Sequence, residues 1–283
     1  MSKPRPDPFT LPEWQAISRE ASLVSQIIGS GATALGRASY GNGFGEYYTA
    51  FFGLSVGIER LAKLILIADH AMSHAGKLPD QIVVRKFGHK LADLIAKTDQ
   101  ITTRHGLELQ FGKPNDPICW AAVDCLNAFA DASKGRYANF EAIGNPAFDA
   151  RNEPVNSWWA NVVEPILDKH YRGKSGEAGV KHRAAVAKKL MGQFSSVLMI
   201  DEQGGVMTDL EIASERAGQT KWAQKYGRFY TLSVVRWLAS IFYELSHLAT
   251  YQHGIDALFG HSELFNIYRL PNEFLLTRKR WPL

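Results

Sequence analysis

Residues 46–74 read EYYTAFFGLSVGIERLAKLILIADHAMSH. Within this stretch Leu54, Ile58, Leu61, Ile65 and Ala68 recur at steps of four and three, the repeat of one face of an α-helix. Leu64, Leu66 and Ile67 carry the apolar surface round to the flanks. A helix that is apolar on most sides has to be covered on most sides, so it belongs at the centre of a helical assembly. Three residues interrupt the pattern. At 100° per residue Glu59, Lys63 and His70 fall within about 40° of one another. A buried charge without a partner is costly, so this polar stripe has to face another polar group, solvent or a ligand.

Toward the N-terminus, three prolines among the first ten residues favour an extended or disordered lead-in. Thr10, followed by Leu-Pro-Glu-Trp, reads as an N-cap, and the helix it opens runs from Pro12 to about Ser30. Gly29-Ser30-Gly31 weakens that helix, and Tyr40-Gly-Asn-Gly-Phe-Gly45 breaks the chain before the central one. Beyond His74, Gly76 to Pro79 is a stop and Ile82 to Val84 a short connector. Amphipathic helices are expected from Gly88 to about His105, from Ile118 to Ser133 and from Arg151 to Tyr171. The last has Pro154 in its first turn and a bend at Pro165. Arg172 to Gly179 is polar and glycine-rich and marks a domain boundary. Helices over 180–200, 208–226 and 229–251 follow, the first two separated by a turn at Asp201 to Gly205. The tail from Leu264 has no clear period and leaves room for one strand.

The fold class is therefore all-α. The 283 residues divide into an N-terminal helix and lead-in (1–40), a helical bundle (41–171) and an additional C-terminal helical region (172–283). With 46% hydrophobic and 21% charged residues, the chain has the composition of a globular protein. The formal charge of +4 is spread along the chain, with one dense cluster at Arg278, Lys279 and Arg280, and by itself says little about nucleic acid. Cys119 and Cys125, six residues apart on a helix, point in different directions and do not bridge. No apolar stretch follows the proline-rich start, so a secretory signal is not expected, and the cytosol is the expected compartment. Phe229 to Ala249 is long enough to span a bilayer, but it carries Arg236, Glu244 and His247. A buried helix of a protein that does not enter membranes is the better reading.

A second polar stripe lies on that helix: Arg236, Ser240, Tyr243 and His247, with Glu244 at its margin. Either stripe could line a charged cleft with a histidine for proton transfer, or be neutralised within the fold. Glu244-Leu-Ser-His247 has the spacing of half a di-iron site, but no second copy exists. His70 and His74 are four apart without the glutamate of a helical zinc motif. There is no phosphate-cradling glycine loop and no Gly-x-Ser-x-Gly elbow, so neither metal nor cofactor is expected. Trp120, Trp158, Trp159, Trp222 and Trp237 lie on expected helices, where core packing is the default role.

Taken in order, Gly57-Ile-Glu59-Arg-Leu-Ala-Lys63, then Gly88-His89-Lys-Leu91-Ala-Asp-Leu94-Ile95, then Gly135-Arg136-Tyr137 resemble the HEPN family over roughly residues 41–171. The resemblance implies an up-down bundle of four or five helices and an association with prokaryotic defence or toxin–antitoxin systems. It implies a homodimer whose partners are RNA and an antitoxin or other protein. Active members cleave RNA without metal, using an Arg and a His separated by four to six residues. Here Arg85 and His89 have three residues between them, and Arg151-Asn152 has no histidine at the matching downstream position. The roles carried over are His89 as general acid or base, Arg136 or Arg151 as the phosphate-holding group, and Glu59 and Lys63 as orienting residues. Two readings stay open: an RNA-cleaving effector, and a catalytically inactive helical module that binds a protein or nucleic acid. In the second, Glu59 and Lys63 are only an i, i+4 pair and His89 only lines a helix start.

Overall fold

The computed structural model of the chain describes residues 7–131 and 135–281. The expected lead-in over residues 1–6, the end of a helix at Ser133 and the last two residues of the tail lie outside them. Eleven α-helices and one two-stranded ribbon occur among the described residues.

Helix α1 (Pro12–Leu35) begins with proline in its first turn and Glu13 beside its positive end. Thr10 is not its cap. It closes a short 3-10 turn, Pro8–Thr10, that Asp7 caps, and Leu11 takes the N-cap position of α1. The helix continues past Gly29-Ser30-Gly31, and the reason is its neighbour α2 (Gly45–Ser73). A Cβ on Gly53 would lie 2.8 Å from the Cα of Gly31, and one on Gly57 would lie 2.4 Å from Cγ1 of Ile28. These glycines let two backbones touch. They serve packing here and do not break the helix. Falling numbers on α1 meet rising numbers on α2, so the two are antiparallel.

The central helix behaves as its sequence demands. Leu54, Ile58, Leu61, Ile65 and Ala68 are fully buried. α2 packs against α1, α4 (Leu91–Arg104), α5 (Pro117–Ala130) and the long α10 (Leu210–Tyr251). Short α3 (Gln81–Lys86), capped by the Asp80 carboxylate on Val83 N–H, occupies the stretch expected to be a connector. His89, just before α4, meets Glu59, while Arg104 at the end of α4 meets Asp69. α4 therefore runs in the same sense as α2, unlike the alternation of a simple up-down bundle. α9 (Ser175–Met191) and α10 are antiparallel, since Gly176 lies against Trp222 and Gly218 against Val180.

Between α5 and α9, α6 (Ala138–Gly144) is a short exposed helix, and the expected helix over 151–171 is divided. α7 (Pro154–Trp158) passes through a π-helical turn, Trp159–Val163, into α8 (Glu164–His170). Pro165 cannot donate to the ladder of the preceding turn, and the wider turn sits just before it. The helix expected over 180–200 ends at Met191. Met199–Ile200 (β1) pairs antiparallel with Val206–Met207 (β2) around the expected turn, whose Asp201 carboxylate accepts from Gln203 and Gly205 N–H. The helices expected over 208–226 and 229–251 are one, of 42 residues. The tail is a 3-10 segment, His261–Tyr268, and a short α11 (Asn272–Thr277), with no strand among its described residues.

The expected boundaries at 40 and 171 fall in turns, but the apolar interior does not divide there. One cluster of buried side chains runs from Ile17 through Leu61, Trp159 and Phe242 to Trp281. No helix among the described residues is long and apolar enough to cross a membrane.

Candidate active site

Glu59 and Lys63 sit one turn apart on α2, and Lys63 Nζ donates to Glu59 Oε1 at 2.7 Å. Both side chains are largely sheltered, at 18% and 15% exposure. The cover comes from the turn between α3 and α4. Gly88 there has φ +88°, a left-handed conformation that side-chain-bearing residues rarely adopt. It reverses the chain and sets His89 over the stripe. Lys97 Nζ donates to Phe87 C=O at 3.0 Å, and Leu91 N–H donates to Asn127 Oδ1 at 2.8 Å, so the turn is held from α4 and from α5. Asn127, not His89, satisfies the first orphan donor of α4.

His89 Nδ1 lies 2.9 Å from the same Glu59 Oε1, and the imidazole is 79% exposed. Lys63 Nζ is 3.4 Å from Nδ1. With the Nδ1 proton directed at the carboxylate, Lys63 and His89 both donate to one oxygen. The tautomer is then fixed by Glu59, and the Nε2 lone pair stands in water. A carboxylate that orients an imidazole and leaves its far nitrogen free is the arrangement of a general base. Arg85, Lys86 and Lys90, all exposed, flank His89 in the chain and give this corner a positive field suited to a phosphate backbone.

The remaining expected site residues are engaged elsewhere. Arg136 donates to Ala130 C=O at 2.7 Å and stacks its guanidinium over Phe52, 5.3 Å from the ring centre. Phe52 is two turns N-terminal to Glu59 on the same face, about 10 Å along the axis. Arg151 is gripped by Asp149 through Nε and Nη2 at 2.8–3.0 Å, with its side chain 85% exposed. His70, the third member of the stripe, stacks on His74 with ring centres 3.8 Å apart, and burial and the His74 charge lower its pKa. On the second stripe, Arg236 donates to Leu270 C=O and Asn272 Oδ1 and lies over Phe111, and Ser240 donates back to Arg236 C=O. The two stripes therefore have different partners and do not form one pocket.

Two polar groupings had no sequence signal. Asp69 holds both Arg104 and His105, at 2.7 Å and 2.8 Å. Glu202 is sealed among Tyr40, Tyr47 and Arg216, and the Arg216 guanidinium lies 3.7 Å from the centre of the Trp159 ring. Partners 14 to 162 residues apart leave no local pattern. The largest cavity near the expected residues, about 600 Å³, opens between α5 and the 141–157 segment. Its lining includes Asp131, Glu141, Asp149 and Asn127, so Asn127 touches both this cavity and the His89 turn. Among the described residues no three of His, Cys, Asp or Glu are grouped to hold a metal ion. No family model matches the chain, and no curated protein or solved structure is significantly similar to it.

Proposed function

We propose that this protein is a HEPN-like, RNA-directed protein that cleaves the RNA backbone without metal, in prokaryotic defence or as a toxin paired with an antitoxin. The observation that carries the reading is the meeting of Glu59, Lys63 and His89, drawn from two segments thirty residues apart, around an imidazole whose far nitrogen is free. In this mechanism His89 Nε2 takes the proton of a ribose 2′-hydroxyl. The 2′-oxygen attacks the adjacent phosphorus, the bond to the 5′-oxygen breaks, and that oxygen leaves with a proton from water. The products are a 2′,3′-cyclic phosphate and a 5′-hydroxyl. Glu59 positions the ring and steadies the imidazolium, and Lys63 holds Glu59. Arg85, Lys86 and Lys90 take the phosphate-binding part that the resemblance gives to Arg136 or Arg151, because those two are already paired.

The engagement of Arg136 and Arg151 favours a second reading, in which the same corner binds RNA or a protein partner without cleaving. One assay separates them. Purified protein is incubated with single-stranded and structured RNA in excess EDTA, and the 3′ ends of the products are analysed. Cyclic phosphate ends that disappear with His89→Ala support cleavage at this site. RNA left intact, or cleavage unchanged in the variant, overturns it.

A further inference from the structure

The C-terminal half of α10 carries a column of rings that the reading above does not use. Tyr243, His247 and Tyr251 follow one another at steps of four, one above the next on the helix. Arg269 lies on the Tyr243 ring, 3.6 Å from its centre, and is held there through Asn266 and Gln110. The Tyr243 and His247 rings are nearly parallel, at 18°, with centres 6.5 Å apart. That is wider than one stacking step of about 3.4 Å. His247 and Tyr251, by contrast, are tilted at 45° and 4.5 Å apart.

Beside this column is a cavity of about 120 Å³ between α10 and residues 258–263. That leaves room for a small flat ring. Tyr243, His247 and Phe259 are among the residues that line it, together with Ser246, Ser262 and Glu263. Ser246 is 3% exposed, and its Oγ has no hydrogen-bond partner among the described residues. A buried hydroxyl left unpaired is uncommon. Ser246 lines the cavity, where a ligand could supply the missing partner.

We propose that this is a binding site for the base of a nucleotide. The heterocycle stacks on His247 and Tyr243, and its edge N–H groups donate to Glu263 and the serine hydroxyls. A purely hydrocarbon ring would leave those acceptors unused. The sugar and phosphate stay in solvent beyond the exposed His247 and Tyr251. The base can come from a free nucleotide or from a single strand of RNA. The site shares no residue with the Glu59–Lys63–His89 group.

Calorimetric titration of the full chain with AMP, GMP, CMP and UMP, with ribose 5-phosphate as the base-free probe, and with five-residue RNA homopolymers tests the proposal. Saturable binding of at least one base-containing probe is expected, with no binding of ribose 5-phosphate. Loss of a stacking ring in His247→Ala weakens binding roughly tenfold to a hundredfold. Tyr243→Ala, which removes the other stacking ring, is a second variant and weakens binding likewise, should circular dichroism show His247→Ala misfolded. Binding of mononucleotides assigns the site to free nucleotides, and binding of the oligomers alone, weakened in His247→Ala, assigns it to RNA. His89→Ala leaves the titration unchanged, which keeps this result separate from any loss of cleavage. No binding of any probe at millimolar concentration, equal binding of ribose 5-phosphate, or affinity unchanged in the ring variants overturns it.

Discussion

Glu59 and Glu202 are both carboxylates with more than one donor, yet they sit in opposite surroundings. Glu59 accepts from Lys63 and faces His89, and the imidazole beyond it is 79% exposed. Glu202 has no exposed side-chain surface. Its oxygens accept from Tyr40 N–H at 3.0 Å, Tyr47 O–H at 3.2 Å and Arg216 Nε at 3.1 Å. Burial raises the Glu202 pKa, and the Arg216 charge opposes that rise. In the sealed group the protein's own donors meet both carboxylate oxygens, so the group ties the β1–β2 ribbon to α2 and α10 and has no access to a ligand. In the open group one partner keeps a nitrogen in water, and that nitrogen is available for chemistry. The presence of charged residues on an apolar helix does not separate the two cases; access to the last atom does.

The largest effect that can break this contrast is on the sealed side. Arg216→Met leaves Glu202 buried without its cation, and stability should fall by about 3–5 kcal/mol in urea unfolding. A loss under 1 kcal/mol would show that the group is not sealed. A second test compares imidazoles. Burial lowers the pKa of His261 to about 4, against an ordinary value of 6.5. The unfolded chain therefore takes up a proton below pH 6.5 that the folded chain refuses. The stability this histidine contributes is complete above pH 6.5 and is lost as pH falls toward 4, by about 3 kcal/mol. His261→Gln should flatten that part of the stability profile. His89, open to water, should act on rate instead: His89→Ala lowers RNA cleavage by about a hundredfold or more, with the melting temperature unchanged. The smallest effect belongs to the orienting carboxylate. Glu59→Gln should slow cleavage roughly tenfold, the value of one hydrogen bond of about 1.4 kcal/mol, with the urea midpoint nearly constant.

How much of this was readable in advance depended on range. The burial of Leu54, Ile58, Leu61, Ile65 and Ala68 followed from periodicity, because a helix repeats its environment every turn. The Glu59–Lys63 pair was readable for the same reason. His89 lies against them, but nothing in the spacing shows that a left-handed glycine at 88 delivers the ring. Gly31 misled, since a glycine that weakens an isolated helix also permits a close helix crossing, and only the neighbour decides which. The break expected between 226 and 229 did not occur, and Gly227 serves packing instead: it lies against Trp158, where a Cβ would be 3.2 Å from the indole. Arg136 and Arg151 were assigned by type, and their actual partners, Ala130 and Asp149, could not be read from that assignment. The Glu202 group was invisible because its members come from three separated stretches, around 40–47, 159 and 202–216.

The 42-residue α10 is about 63 Å long and covers α2 from the far end of the sequence. A ribosome working at about 5–20 residues per second needs on the order of 10–30 s after finishing α2 before the covering turns near residue 240 exist. Throughout that interval the greasiest segment of the nascent chain has only α1 and the middle helices for shelter. Expression at low temperature or with a holdase chaperone should therefore raise the soluble yield, and a fragment ending at residue 171 should precipitate.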